Sequence, residues 1–470
     1  MHIKTKKTSW KKQNNRAGFG DKKKSPSLKK EKAGEKPIPS LKKEKAGLAA
    51  RQAALDVLSD ISKYETTADA SFQKVFQKRS LSERDEGFVR LLVLTVLRYE
   101  RILNAVIGRF LLKPLSLKQK KVQDILCLGT AQLLLLHTPP HAVLWTSVEL
   151  VKADRKTAFL SGLVNAVLRK VMQETETLLK EFQGRGVNVP EWLFQSWKES
   201  YGEESATRIA DSLLEEPLLY LSVKEKEKLS FWAQQLEGEV VFPESILCRK
   251  TENIFKTTGY EEGSWWVQDR AASLPVLVLK EAFGGSLVGK KIADLCAAPG
   301  GKTAQLLCLG AQVDAFDISE NRLKRFEENM KRLRLDGYKI KQADSSALEK
   351  NEIYDAVLLD APCSATGTLR RHPEILNRLH PADVERLAAL QKKMLLSAAG
   401  LLKKDGFVLY STCSLQKEEG EEVVLSCPDL VHQEISSPQV NAFLTKNKDV
   451  RTFPYEEMDG FFISLLKKKN

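Results

Sequence analysis

The chain has 470 residues, of which 42% are hydrophobic, and this length suffices for two or three domains with separate cores. Its longest apolar run is broken by Gln132 and His137 and is too short for a bilayer span, so no membrane domain is predicted. The seven cysteines are odd in number and include no C-x-x-C pair, which argues against a disulfide scaffold or a structural metal site. This cysteine usage, without a secretory signal, predicts a cytoplasmic protein.

The net charge of +13 is concentrated near the start of the chain. Residues 1–47 hold sixteen Lys or Arg against four Asp or Glu, whereas the remaining 423 residues hold 58 against 57. The octapeptide SLKKEKAG occurs twice in this segment, at Ser27–Gly34 and at Ser40–Gly47. Such low hydrophobicity and high charge predict a disordered basic tail. The tail is either a flexible arm that attracts phosphate groups or a solvating extension without a specific role.

Residues 48–178 are predicted to form a compact helical domain. Apolar residues recur at three- and four-residue spacing, as they do between Phe159 and Val171, so each helix presents one apolar stripe. Pro139 and Pro140 separate two such helices. The segment contains no group of residues arranged for catalysis, and binding is therefore its expected task.

An α/β domain is predicted for residues 265–470, after a mixed and less periodic segment at residues 179–264. Apolar strands alternate with helices there, as in a doubly wound sheet. The helices Glu320–Leu335 and Ala382–Leu402 fill two of the intervals between strands. The predicted strands are Ile292–Leu295, Val313–Asp317, Tyr354–Asp360, Phe407–Tyr410 and Phe461–Leu466.

The most informative segment follows the first of these strands, where residues 294–303 read DLCAAPGGKT. A strand that turns through glycines into a helix directs backbone N–H groups and the positive end of a helix dipole at a ligand. The spacing fits neither a phosphate-binding P-loop, which needs glycine where Cys296 stands, nor the Gly-x-Gly-x-x-Gly dinucleotide fingerprint. A nucleoside with a carboxylate, such as S-adenosylmethionine, does fit. Asp317 ends the next strand, where a carboxylate either binds ribose hydroxyls or only caps the following helix.

Two cysteines follow two other strand ends. The strand that ends at Asp360 leads into APCSATG with Cys363, and the strand that ends at Tyr410 leads into STCS with Cys413. In open α/β sheets ligands bind outside the carboxyl ends of the strands, so both thiols are expected to face the crevice beside the glycine turn.

A thiol is useful there because a thiolate that adds to carbon 6 of a pyrimidine makes carbon 5 nucleophilic enough to take a methyl group. Asp360 is placed to bind the exocyclic amine of a cytosine and so to select cytosine over uracil. The residues alone leave Cys363 and Cys413 as equal candidates for the attack, beside the simpler interpretation of two inert buried cysteines.

As a set, these motifs resemble those of the RNA cytosine-5 methyltransferases of the bacterial Sun/Fmu type, which modify small-subunit ribosomal RNA. The resemblance rests on the turn Cys296–Lys302, on Asp360–Gly367 with the RRHPE that follows, on STCS around Cys413, and on DGFF at Asp459–Phe462. The helical domain is similar to the NusB-like RNA-binding domain of that type. The resemblance covers about residues 48–470.

The resemblance implies a Rossmann-like catalytic domain and a role for individual residues. Cys413 is the implied nucleophile, Cys363 assists product release, and Asp360 serves both the base and the cofactor. The implied contacts to S-adenosylmethionine are Cys296, Ala297, Ala298, Pro299, Gly300, Gly301, Lys302, Asp317, Asp344 and Asp360. One segment departs from the family, because an expected Arg-x-Asn is replaced by LSVK at residues 221–224.

The expected partner is RNA, with ribosomal RNA favoured, and the expected state is a monomer. Two alternatives stay open at this point. One is an enzyme of the same chemistry that acts on transfer RNA, since the catalytic residues do not discriminate between RNAs. The other is an RNA-binding assembly factor with a vestigial methyltransferase fold.

Overall fold

The computed structural model describes residues 39–182, 188–249 and 254–469. The predicted tail up to residue 38 lies outside the described residues, and the first helix begins at Pro39, within the segment assigned to the tail. Among the described residues, no helix combines the length and the apolar character that a membrane span requires.

The amino-terminal part is a helical domain, as predicted. Ser82 caps its longest helix by accepting a 3.1 Å hydrogen bond from the backbone N–H of Asp85. The apolar faces of the helices bury one continuous core, to which Phe72, Leu103 and Ile125 contribute fully buried side chains. The helices are α1 Pro39–Tyr64, α2 Ala68–Lys78, α3 Glu83–Arg109, α4 Lys120–Leu134, α5 Pro140–Lys152, α6 Ser161–Gln173 and α7 Thr175–Phe182.

The mixed segment resolves into two helices and a small antiparallel sheet with strand order β2-β3-β1-β4. Trp265 is fully buried in the core of this sheet, so the sheet extends beyond the predicted domain boundary at residue 264. The elements are α8 Glu191–Tyr201, α9 Glu203–Ser212, β1 Leu219–Val223, α10 Leu229–Gln235, β2 Glu239–Val241, β3 Ser245–Cys248 and β4 Trp265–Val267.

The carboxyl-terminal part is an α/β domain around a mixed sheet with strand order β10-β12-β9-β8-β5-β6-β7. Its helices are α11 Arg270–Ala282, α12 Gly301–Cys308, α13 Glu320–Leu333, α14 Pro381–Leu401 and α15 Glu421–Val424. Its strands are β5 Lys291–Leu295, β6 Gln312–Asp317, β7 Tyr338–Gln342, β8 Tyr354–Asp360, β9 Leu402–Thr412, β10 Leu430–Gln433, β11 Val450–Arg451 and β12 Phe462–Lys468.

The five predicted strands are all present, and the strands β9, β8, β5, β6 and β7 run parallel. β12 is antiparallel to β9, so the sheet is mixed. The prediction missed β7, β10 and β11 of this sheet. β7 was missed because it lies at the edge of the sheet, where Lys339, Lys341 and Gln342 are exposed and no apolar run forms.

Parallel pairing brings the ends of four strands to one edge of the sheet. Leu295 lies beside Phe316 on one side and Leu359 on the other, and Asp360 lies beside Ser411. The loops that follow these strands therefore surround one crevice, as the strand assignment predicted.

The helical domain contacts the α/β domain through the segment that follows Cys363. Glu374 accepts a 3.1 Å hydrogen bond from the backbone N–H of Ala68, at the first residue of α2. Arg378 donates to the carbonyl oxygens of Ile61 and Thr66, at 3.1 and 2.9 Å. The helical domain therefore supports the segment that follows Cys363.

The segment that departs from the family pattern serves internal contacts in this chain. Ser222 donates a 2.8 Å hydrogen bond to the side-chain oxygen of Gln268. The ammonium group of Lys224 donates to the carbonyl oxygen of Leu333 at 2.7 Å, which satisfies the carboxyl end of α13. The first contact lies at the end of the small sheet, and the second joins this sheet to α13 of the α/β domain.

Candidate active site

The glycine turn joins β5 to α12 in a conformation that depends on glycine. Cys296 and Gly300 have positive φ values of 65° and 105°. A Cβ atom at Gly300 would lie 2.7 Å from the side chain of Met330 and 3.0 Å from that of Phe326. The left-handed backbone and the close packing of α13 together exclude a side chain at this position.

Side chains of α13 hold the turn from behind. Arg322 donates a 2.6 Å hydrogen bond to the carbonyl oxygen of Ala298, and Asn329 donates a 2.9 Å bond to that of Pro299. Ala297 donates its backbone N–H to the neighbouring strand. The turn is thus rigid before any ligand binds, which lowers the entropic cost of binding.

A buried carboxylate supports the turn from within. Thr303 donates a 2.5 Å hydrogen bond to one oxygen of Asp294, and burial raises the pKa of Asp294 to about 7. The other oxygen is buried and accepts no hydrogen bond from the described residues.

Asp317 ends β6 with one carboxylate oxygen in a hydrogen bond and the other beside Arg322. Its Oδ1 accepts a 3.0 Å hydrogen bond from the backbone N–H of Ser319, so the residue does support the start of α13. Its Oδ2 is buried, lies 3.3 Å from Arg322, and accepts no hydrogen bond within the described parts of the chain. Helix support and ligand binding are therefore compatible at this residue.

Asp360 connects the glycine turn to the end of β9. Lys302 donates a 2.7 Å hydrogen bond to its Oδ2, and the hydroxyl of Ser411 donates a 2.8 Å bond to its Oδ1. The side chain of Lys302 is largely buried, whereas that of Asp360 is 33% exposed, so the ion pair is only partly shielded from solvent.

The two predicted cysteines meet. The sulfur atoms of Cys363 and Cys413 lie 3.4 Å apart, although each cysteine follows a different strand. The hydrogen bond to Cys413, then burial and the nearby carboxylate of Glu419, hold the pKa of Cys363 well above its usual range. Cys363 therefore keeps its proton at neutral pH.

Asp344 lies apart from this cluster, in the turn after β7 at the outer end of the sheet. It is exposed, and its carboxylate accepts hydrogen bonds of 2.9 and 2.7 Å from the backbone and hydroxyl of Ser346. These bonds lower the pKa of Asp344, so it is ionised at neutral pH. The structure therefore brings Cys296–Lys302, Asp317, Asp360 and both cysteines to one crevice, with Asp344 at its outer margin.

Comparison with known proteins identifies the family. A model described as 16S rRNA methyltransferase RsmB/F matches residues 288–467, and a NusB family model matches residues 48–173. Two relatives named ribosomal RNA small subunit methyltransferase B, from Klebsiella pneumoniae and Citrobacter koseri, are each 33% identical to this chain. They cover 84% and 83% of the chain, which covers 93% of each relative. The chain belongs to the RsmB/F methyltransferase family.

Solved structures share the fold of this RsmB/F family member. A protein named PH0851 aligns with a TM-score of 0.71 and 24% identity over 90% of this chain and 98% of its own. NSun6 from Pyrococcus horikoshii, solved with SFG, aligns with a TM-score of 0.50 and 23% identity over 60% of this chain and 99% of its own. Family membership makes the chain an RNA methyltransferase that depends on S-adenosylmethionine.

The residues of the crevice fit this cofactor. Oδ2 of Asp317 pairs with Arg322 but accepts no hydrogen bond among the described residues, which suits an acceptor for ribose hydroxyls. The glycine turn offers backbone N–H groups at the start of α12. Arg322 contacts both Asp317 and the carbonyl of Ala298, so it joins the end of β6 to the glycine turn.

We expect Asp317→Ala to weaken S-adenosylmethionine binding by about 1.5–3 kcal/mol, because the ribose hydroxyls lose a charged acceptor. Calorimetric titration with the cofactor measures this loss, and RNA affinity should change little. Glu320→Ala is a matched control, since it removes an exposed carboxylate three residues further along. Unchanged cofactor affinity in Asp317→Ala would contradict the assignment.

Sequence reasoning missed a buried network behind the cysteines. Glu419, Gln391, Ser364 and Ser414 are buried and joined by hydrogen bonds. The only sequence signal was the serine that directly follows each cysteine. The burial of Glu419 was not visible, because its neighbours Lys417 and Glu418 suggest a charged surface turn.

Proposed function

We propose that this methyltransferase modifies carbon 5 of a cytosine in small-subunit ribosomal RNA through a covalent bond between Cys413 and the base. The observation that carries the proposal is the 3.4 Å approach of Cys363 and Cys413 beside Asp360. Two thiols at one point of a methyltransferase crevice suit the chemistry of a pyrimidine that must be activated before methylation. The names of the relatives support small-subunit ribosomal RNA as the substrate.

In the proposed reaction, the thiolate of Cys413 attacks carbon 6 of the cytosine. A bond forms between sulfur and carbon 6, and the electrons of the 5,6 double bond move to carbon 5, which becomes nucleophilic. S-adenosylmethionine, when bound, would supply the electrophilic methyl group to this carbon and leave as S-adenosylhomocysteine. Loss of the carbon 5 proton then restores the double bond and expels the thiolate of Cys413.

The neighbouring side chains suit the supporting roles. Cys363 retains a proton next to Cys413, which suits a group that assists the departure of Cys413 from the product. Asp360, held by Lys302 and Ser411, has a fixed carboxylate that suits the exocyclic amine of cytosine. Uracil presents an oxygen at that position, so a carboxylate disfavours it. The target base must leave its stack to reach these groups.

The decisive experiment is bisulfite sequencing of ribosomal and transfer RNA from a deletion strain. We expect one 5-methylcytosine of small-subunit ribosomal RNA to disappear and to return when the intact gene is restored. Restoration with a Cys413→Ala gene should not return it. Loss of a transfer RNA methylation instead would indicate the transfer RNA enzyme, and no loss in either RNA would favour the non-catalytic assembly factor.

A further inference from the structure

Glu419 is a fully buried carboxylate that bonds to both cysteine loops. Its Oε1 accepts a 2.9 Å hydrogen bond from the backbone N–H of Ser364, which directly follows Cys363. Its Oε2 accepts a 2.6 Å bond from the hydroxyl of Ser414, which directly follows Cys413, and a further bond from the hydroxyl of Ser364. One side chain thus joins the two residues adjacent to the thiols.

Two further side chains complete the network from the core. Gln391 on α14 donates to Oε1 of Glu419 at 3.1 Å and to the carbonyl of Pro362 at 2.9 Å. The hydroxyl of Tyr410 donates to the backbone carbonyl of Glu419 at 2.7 Å. With four donors on its two oxygens, the carboxylate has no room for substrate, and this excludes it as the group that touches the base.

The cost of burying Glu419 suggests a purpose beyond stability. An unpaired carboxylate in an apolar interior is strongly unfavourable, and hydrogen bonds to neutral donors compensate for it only in part. No cation pairs with Glu419 among the described residues. Its charge also helps to keep the pKa of Cys363 high, so Cys363 stays protonated beside Cys413.

We infer that Glu419 is a positioning residue that holds the thiols of Cys363 and Cys413 at the separation needed for the release step. The inference rests on the proposed function, because it assumes that Cys363 acts on the bond between Cys413 and the base. Without Glu419 the two loops keep the direct contact of Ser364 with Ser414 at 3.1 Å and that of Gly367 with the carbonyl of Cys413 at 2.9 Å. They lose the carboxylate that fixes both serine hydroxyls, so we expect the thiol separation to be less well defined and the function of Cys363 to be partly lost.

The first test measures the separation of the thiols without RNA. Diamide, a diazene oxidant, takes one hydrogen from each of two thiols, forms the disulfide and is reduced to the hydrazine. We expect the Cys363–Cys413 disulfide, mapped by mass spectrometry in the full chain, to form roughly 10- to 100-fold more slowly in Glu419→Ala. Glu418→Gln is the matched control, because it neutralises the half-buried carboxylate that precedes Glu419. In this variant the disulfide should form at the rate of the unaltered protein.

The second test measures catalysis. We expect Glu419→Ala to lower kcat with little change in the KM for RNA, and to accumulate a denaturant-stable protein–RNA species, as Cys363→Ala should. The Glu419→Ala, Cys363→Ala double variant should lose no more turnover than Cys363→Ala alone, because both changes act on the same release step. Glu419→Gln retains an acceptor for Ser364, so it should recover part of the rate of disulfide formation and part of the turnover.

The outcomes separate the inference from the proposed function. The role of Glu419 would be overturned if the Cys363–Cys413 disulfide formed in Glu419→Ala at the rate of the unaltered protein. It would also be overturned if the Glu419→Ala, Cys363→Ala double variant lost more turnover than Cys363→Ala alone. If Glu419→Ala does not fold, as judged by thermal melting, Glu419→Gln carries the same test. Absence of a stable protein–RNA adduct in Cys363→Ala itself would instead overturn the proposed reaction. In that case the rates of disulfide formation would still decide whether Glu419 sets the distance between the two thiols.

Discussion

Cys413→Ala should abolish methyl transfer, with a loss of roughly 10⁴-fold or more, the scale seen when an enzymatic nucleophile is removed. Without the thiolate, carbon 5 of the cytosine is never activated, and no covalent species with RNA forms. S-adenosylmethionine binding should be unchanged, because the glycine turn and Asp317 make their contacts without this side chain. Methyl incorporation into RNA from labelled cofactor measures the effect.

Cys308→Ala provides the control for this variant, since it removes a half-buried free thiol on α12. We expect it to retain activity. A Cys413→Ala protein that still methylates, or that forms a denaturant-stable adduct with RNA, would reverse the roles and make Cys363 the nucleophile.

Cys363→Ala should fail in a different way. The nucleophile and the cofactor site remain intact, so attack and methyl transfer proceed, but release of Cys413 from the product slows. We therefore expect a protein–RNA species that survives denaturing electrophoresis and contains one transferred methyl group. The species should vanish in the Cys363→Ala, Cys413→Ala double variant, since no thiol remains to form it.

The raised pKa of Cys363 gives this expectation a physical basis. The hydrogen bond to Cys413 and the burial of the site favour the protonated thiol, so Cys363 is poorly suited to attack at neutral pH. A Cys363→Ala protein that releases product as fast as the unaltered enzyme would contradict the assigned role.

Docking of the helical domain adds a constraint that the catalytic motifs did not reveal. The RRHPE segment contains Arg371, which donates hydrogen bonds to Asp459 at 2.8 Å and to Asp269 at 2.6 Å. Glu374 of the same segment meets the start of α2. The loop that carries Cys363 is therefore held by the last strand region, by the start of the catalytic domain and by the helical domain.

The sequence by itself determined the local features of the site. The apolar run of β8 and the glycines after β5 are contiguous, and their spacing indicates a buried strand and a strand–helix turn without knowledge of the rest of the chain. The positions of Cys363 and Cys413 at strand ends followed from the same local patterns. The motifs also identified the family, because their order and spacing are specific as a set.

Only the tertiary structure decided how closely these features approach one another and which other residues join them. Cys363 and Cys413 are 50 residues apart in the chain, and their 3.4 Å approach depends on the pairing of β8 with β9. Glu419 looks like part of a charged surface turn until Gln391 on α14 covers it. The contact of Arg378 with Thr66 spans 312 residues. Such long-range contacts depend on how whole elements pack, and no local spacing encodes them.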